Sequence, residues 1–331
     1  MRLSVLNLAN VGEGQTPASA LAAATNLAVE AERLGYHRYW VAEHHNMVGI
    51  ASSSPPVLIA HLATQTSTIR LGSGGVMLPN HSPLVVAEQF GMLEALHPDR
   101  IDLGLGRAPG TDGRTALALR RTNRPETGSE FPSQLGELLG YFNGTLAEDH
   151  PFRRITATPG LGYQPAIWLL GSSDFSATLA GQLGLPFSFA HHFAGGNTDI
   201  AIAAYRNSFT PSATLEEPYL MLGVNVVCAP TDEEAKFLAG PGKLAIARLR
   251  QGMPGLYPTP EEAAEHVFSE QEQAMIDSFS AGHIVGSPET VRSGLNDLVE
   301  RTGADELMVT TTTHDPAHQL RSFQLVAQSF R

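Results

Sequence analysis

Short apolar runs alternate with amphipathic stretches along the whole chain. The runs 3–8, 38–42, 69–77, 100–105, 166–170, 186–190, 219–228 and 305–311 are rich in β-branched and aromatic residues. Most carry apolar side chains at both odd and even positions, the pattern of parallel strands covered on both faces. The stretches between them repeat with helical spacing. In the first, Leu21, Leu27, Ala28, Ala31 and Leu34 fall on one face, and Gly35 stands where a left-handed cap would close the helix. Eight strands alternating with helices predict a single (β/α)8 barrel over residues 1–331.

The helix starts share one chemistry. Thr16-Pro17, Ser54-Pro55, Ser82-Pro83, Thr259-Pro260 and Ser287-Pro288 each pair an N-cap hydroxyl with a proline at the first helical position. His97-Pro98 predicts the end of the helix that Ser82 opens. Two stretches depart from the repeat and read as insertions. Residues 107–133 follow the fourth strand and are rich in Gly, Pro, Thr and Arg. Residues 240–258 lie between the seventh and eighth strands and are broken by Gly and Pro. Both fall where barrel enzymes carry active-site loops and lids.

Composition narrows the function classes. The 331 residues carry a net charge of −12, which argues against nucleic acid or an anionic membrane surface as partner. The one cysteine, Cys228, excludes an intrachain disulfide and a Cys-rich zinc site and points to a reducing, cytoplasmic setting. The opening residues MRLSVLNLANVGEG alternate like a strand and lack the continuous apolar run of a signal peptide. The Ala-rich stretch 18–31 is interrupted by Thr25, Asn26 and Glu30, too polar for a membrane span.

Five stretches carry candidate chemistry. Glu43, His44 and His45 run off the end of the second strand, where alternation sends neighbours to opposite sides, so the two histidines do not share one ligand and no metal is expected. His44 is a candidate acid/base; the structural alternative is a hydrogen-bonded core histidine. Glu43 either orients it or is a buried, paired carboxylate. Gly74 and Gly75 lie inside the third strand and imply a bulge, a close approach of a ligand, or a tight barrel bend. The run from Gly104 to Gly110 fails the dinucleotide fingerprint, because Pro109 stands where the third glycine belongs. It leaves Arg107 at a strand end, suited to phosphate or to an ordinary surface ion pair. Ser172 and Ser173 open a helix after the fifth strand, where an anion or a simple N-cap fits. His191 and His192 follow the sixth strand as pocket-lining candidates.

Taken in order, "WVAEHHN", "LGSGGVMLP", "SPLVVAEQFGMLEALHPDRIDLGLGRAPG", "LLGSSDFSATLAGQLGLP" and "GSPETVRSGLNDLVERTGADELMV" resemble the bacterial luciferase-like flavin monooxygenase family, in its single-subunit oxidoreductase group. The resemblance implies a TIM barrel that binds reduced FMN at its C-terminal face and reacts with O2 through a flavin C4a-hydroperoxide. It places the catalytic histidine at His44 and a strand-three bulge, often a non-proline cis peptide, at Gly74-Gly75. It places the phosphate arginine at Arg107, the facing phosphate loop at Ser172 and Ser173, and the pocket wall at His191 and His192. It further implies a small organic substrate, a separate NAD(P)H:flavin reductase and pairing into a homodimer through the helices after strands two and three, where Ala60, Ala63 and Ala87 suit close packing and equally an ordinary barrel exterior. Light-emitting members carry a cysteine just before the arginine; Gly106 stands there, so the thiol-dependent part of that chemistry is not implied. Three readings compete: an F420-dependent oxidoreductase transferring hydride, a non-catalytic flavin-binding barrel, and a phosphate-binding barrel lyase. Arg114, Arg120, Arg121 and Arg124 either attract an anionic substrate or are solvated.

Overall fold

The computed structural model describes residues 1–121 and 130–330. Its strands are β1 (Arg2–Asn7), β2 (Arg38–Val41), β3 (Arg70–Met77), β4 (Ile101–Gly106), β5 (Ala166–Gly171), β6 (Phe187–Phe189), β7 (Leu220–Cys228), β8 (Ile284–Gly286) and β9 (Glu306–Thr310). All pairings between them are parallel. β1 to β7 and β9 close into an eight-stranded barrel, because β6 pairs with β7 and β9 bridges β7 and β1. The eight barrel strands are those the sequence predicts. β8 is an addition, a short strand paired to the end of β7. The helices are α1 (Pro17–Leu34), α2 (Pro55–Gln65), α3 (Pro83–Leu96), α4 (Gly113–Arg120), α5 (Phe131–Asn143), α6 (Asp174–Gln182), α7 (His191–Ala194), α8 (Thr198–Ser208), α9 (Asp232–Arg250), α10 (Pro260–Glu265), α11 (Glu270–Ser280), α12 (Pro288–Thr302) and α13 (Pro316–Ser329).

The large apolar core lies between barrel and helices and includes Leu27, Ile59, Phe90, Phe142 and Phe323. α1 buries its predicted face and ends at Gly35, whose φ of 86° is the left-handed cap. The hydroxyls of Thr16, Thr259 and Ser287 accept the third backbone N–H of their helices. Ser54 and Ser82 make no side-chain cap; at those two starts only the proline matches the expectation. Ala63 and Ala87 turn into the chain's own core, so they are not available for pairing barrels. Ala60 is exposed on α2, and the outer faces of α2 and α3 also show Val57, Met92 and Leu96, each more than half exposed.

Both irregular stretches contain more helix than expected. In the first, Asp112 caps the N–H groups of Arg114 and Thr115 and starts α4; Arg124 lies outside the described residues. In the second, α9 continues through Gly240-Pro241-Gly242 to Arg250. Proline removes one helical hydrogen bond. Here the face carrying Ala235, Leu238, Pro241 and Leu244 is buried, three acids occupy the first turn and Arg248 and Arg250 the last, so packing and dipole outweigh that loss.

Inside the barrel, every second residue points inward, and the inward residues stack in levels. The floor is polar. Arg38 lies between Asp102 and Glu306 at 2.8 Å from each, and Asp102 also takes hydrogen bonds from Trp40 Nε1 and Arg70. Gly72 is required beside them, since a Cβ there would sit 2.6 Å from both Asp102 Cβ and Trp40 Nε1. Above the floor is an apolar level of Leu6, Trp40, Trp168, Met221 and Met308. The cavity described below opens above that level. Replacing Arg38 by Met would leave two buried carboxylates without their shared cation. We expect a loss of about 3–5 kcal/mol of stability, read as a lowered denaturant midpoint; an unchanged midpoint would show that the floor is not held by this pair.

Candidate active site

Alternation along β2 continues past its end. Arg38, Trp40, Ala42 and His44 point inward, while Glu43 and His45 point to the other side. His44 therefore lines the cavity, with a buried Nδ1 that has no hydrogen-bond partner among the described residues. Burial holds its pKa below the ordinary value, against the charge of Glu43, so the imidazole is neutral at pH 7.

Glu43 does not hydrogen-bond His44. Its fully buried carboxylate accepts from His45 Nε2 and His81 Nε2, each at 2.9 Å, and from the Met77 N–H at 3.1 Å. Burial alone would raise its pKa; these three donors outweigh burial and hold it below the usual carboxylate range. Of the two roles the sequence left open for Glu43, the geometry is that of the paired carboxylate. It fastens the loop after β2 to the loop after β3. The loop after β4 joins them, because the His45 N–H donates to Gly110 O and the Thr111 hydroxyl to His45 O.

Gly74 and Gly75 meet in a cis peptide, and the pairing of β3 with β4 shifts by one residue there. Both glycines line the cavity. A Cβ on Gly75 would lie 2.8 Å from Gly104 O, and one on Gly74 would lie 2.8 Å from Leu6 Cδ1. The missing side chains thus let neighbouring strands close up as well as keeping the cavity wall flat.

Arg107 follows β4 and faces the loop that leaves β5. Its guanidinium carbon lies 4.3 Å from the centre of the Phe175 ring, and it forms no ion pair among the described residues. Ser173 is the N-cap residue of α6, yet its hydroxyl does not cap the helix. Arg107, Ser172, Ser173 and the first turn of α6 therefore converge with their donors unspent, as an anion site requires. Among the described residues, Arg107 makes no surface ion pair and Ser173 no side-chain cap, the plainer readings of these positions.

His191 and His192 separate. His191 Nδ1 bonds Thr198 Oγ1 at 2.7 Å, and the residue lies outside the cavity, so the expectation that it lines the pocket is corrected. β6 ends two residues before it, and α7 turns it into the helical layer. His192 does line the cavity. Its ring lies against Gly223 of β7, where a Cβ would come within 2.6 Å of Nδ1, and burial pushes its pKa down to about 4.

The cavity that collects these groups measures about 840 Å³ at the C-terminal ends of the strands, near the upper end of ordinary ligand pockets. Its wall is mostly apolar. The segment after α9 covers one side, where Tyr257 exchanges backbone hydrogen bonds with Val11 and Glu13. Asn10 adds an unpartnered buried Oδ1 that the sequence did not single out. No group of three or more His, Cys, Asp or Glu side chains among the described residues is arranged to hold a metal ion.

Residues 1–306 match the family model described as luciferase-like monooxygenase.

The chain belongs to the luciferase-like monooxygenase family.

A luciferase-like monooxygenase from Escherichia coli K12 is 46% identical over 97% of this chain and 95% of its own length. The YvbT protein of Bacillus subtilis is 50% identical over 99% of this chain and 96% of its own. The crystal structure of apo-MsnO8 superposes with a TM-score of 0.91 at 41% identity, covering 99% of this chain and 98% of that one. More distant structures share the fold. They include the oxygenating constituent of 3,6-diketocamphane monooxygenase from Pseudomonas putida in complex with FMN, at 20% identity and a TM-score of 0.72, covering 99% of this chain and 98% of that one. An F420-dependent secondary alcohol dehydrogenase, at 13% identity and a TM-score of 0.73, covers 100% of this chain and 99% of its own. The fold thus accompanies FMN in one of these neighbours and F420 in the other.

The buried histidine of this family member gives a testable acid response. A His192 that titrates near 4 when folded and near 6.5 when unfolded binds fewer protons folded than unfolded between those values. Stability therefore rises with pH across that window and is complete above it. The His192→Gln variant should lose less melting temperature than the parent between pH 6.5 and pH 4; equal losses would show that His192 is not held neutral.

Proposed function

We propose that this chain is the oxygenase of a two-component FMN-dependent monooxygenase, supplied with reduced FMN by a separate NAD(P)H:flavin reductase. The observation that carries this reading is the pair of unspent ends in one cavity: the anion cradle of Arg107, Ser172 and Ser173, and the orphaned Nδ1 of His44. The residues present fit FMN. The Arg107 guanidinium edge, the two serine hydroxyls and the α6 N-terminus would hold the phosphate, and the cavity has room for the ring system together with a small organic substrate. Gly74 and Gly75 leave a wall without side chains for a flat ring to lie against.

Bound reduced FMN supplies two electrons to O2, so that one oxygen atom enters the substrate, the other leaves as water and the flavin ends oxidised. This chain's residues do the rest. Neutral His44 takes and returns a proton at Nδ1. Trp40, Leu170 and Met308 keep the neighbourhood apolar, and Leu256 and Tyr257 close one side against water. No complete dinucleotide fingerprint stands in the chain, which supports a separate reductase. The exposed apolar residues of α2 and α3 support a homodimer paired through those helices. The lone buried Cys228 suits a reducing cytoplasm.

The test supplies FMN, NADH, a flavin reductase and a small-molecule extract under labelled oxygen gas. The reading predicts a product carrying one heavy oxygen atom. Product without label, or reduction driven by reduced F420 in the absence of oxygen, would contradict it. The His44→Ala variant should form product roughly a hundredfold to ten-thousandfold more slowly while binding FMN within a few fold of the parent. In the parent, turnover should rise with pH and level off below neutrality, because the neutral imidazole is the working form and burial lowers its pKa. An unchanged rate in His44→Ala would remove that residue from the reaction.

A further inference from the structure

The anion cradle is built from two elements that do not follow each other in the chain, the loop after β4 and the first turn of α6. Arg107 is the long, flexible member of the set, and a side chain of that kind loses rotamer freedom when it must aim at one target. Among the described residues no carboxylate aims it. Asp174, at the first position of α6, forms no ion pair with it among the described residues. One contact does: the ring of Phe175, the second residue of α6, over which the guanidinium lies at 4.3 Å from the centroid. Phe175 is itself 37% exposed, unusual for a ring whose only purpose is core packing.

We infer that Phe175 is a positioning residue for the phosphate arginine, holding the Arg107 guanidinium against the start of α6 by a cation–π contact. With its carbon over the ring, the guanidinium can meet the aromatic face with the face of its own plane. The five N–H donors lie in that plane and point outward from its edge, so a stacked Arg107 keeps all of them for a phosphoryl group. A lysine could not do the same, since it has no flat face to stack and no fork of donors. The ring also belongs to the helix whose N-terminus and preceding serines form the other half of the cradle, so one aromatic contact fixes the distance between the two halves. The ligand class is a phosphate monoester carried on a flat ring system. The inference rests on the FMN reading above.

Oxidised FMN and riboflavin differ only in the phosphate, and titrating each by flavin fluorescence isolates it. The parent should bind FMN more tightly than riboflavin. In Phe175→Leu, which keeps an apolar side chain on the helix, FMN affinity should fall about threefold to tenfold with riboflavin affinity unchanged. Phe175→Tyr and Phe175→Trp should restore the parent preference. In an Arg107→Ala background, Phe175→Leu should cost nothing further, because the contact it removes is already gone. A parent preference that survives Phe175→Leu, or equal losses for both flavins, would overturn the positioning role and leave the FMN reading standing. Equal affinity of the parent for the two flavins would overturn the phosphate assignment, and the positioning role with it.

Discussion

A single buried carboxylate sets the geometry at the mouth of the barrel. Glu43 has no access to water, so its charge must be met by donors inside the protein. His45, His81 and the Met77 N–H meet it, and they come from the loops after two successive strands. Because strand alternation puts Glu43 and His44 on opposite sides, satisfying the one outside the cavity fixes the other inside it. The same fastening reaches the loop after β4 through His45 and Gly110, and so extends to the segment that presents Arg107. Loops at this end of a barrel are ordinarily the most variable part of the fold. Here three of them are tied to one anion.

The barrel interior then reads from bottom to top as a change of polarity. The floor is closed by charge: Arg38 satisfies Asp102 and Glu306, and little polar capacity is left over. The middle is closed by bulk, with Trp40 and Trp168 edge to face at 5.3 Å. The top is open, and there Asn10 Oδ1, His44 Nδ1 and His192 Nδ1 stand without partners among the described residues. A buried donor or acceptor left unmet costs free energy, and these three face the cavity, where a ligand could meet them. The cavity is also graded along its length. The Arg107 end favours an anion, whereas His44 and His192 are both held neutral by burial and so add no charge to the apolar part.

Much of this was legible in the sequence, for definite physical reasons. The strands could be read because burial on both faces leaves a continuous apolar run, and the first helix because its apolar face repeats with helical spacing. Alternation separated His44 from His45, and the family resemblance chose His44 as the one facing the site. Other features depend on partners far away in the chain. Nothing local to Glu43 shows that His81, 38 residues on, will bind it. Nothing local to Phe175 shows that Arg107 will lie across it. Gly240-Pro241-Gly242 looked like a break because proline's local cost is visible and the packing that offsets it is not. Ala63 and Ala87 left pairing and ordinary barrel packing equally open, because small residues suit either face of a helix. The bulge at Gly74-Gly75 was one of several local readings, and family resemblance singled it out together with the cis peptide.

The central claim is that the cavity holds reduced flavin for reaction with oxygen. The direct measurement is to bind reduced FMN without oxygen, mix rapidly with oxygenated buffer, and follow the absorbance spectrum. The account predicts a long-lived spectrum that is neither reduced nor oxidised FMN, decaying to oxidised FMN more slowly than the free cofactor reoxidises. Reoxidation in a single step at the rate of free reduced FMN would contradict it.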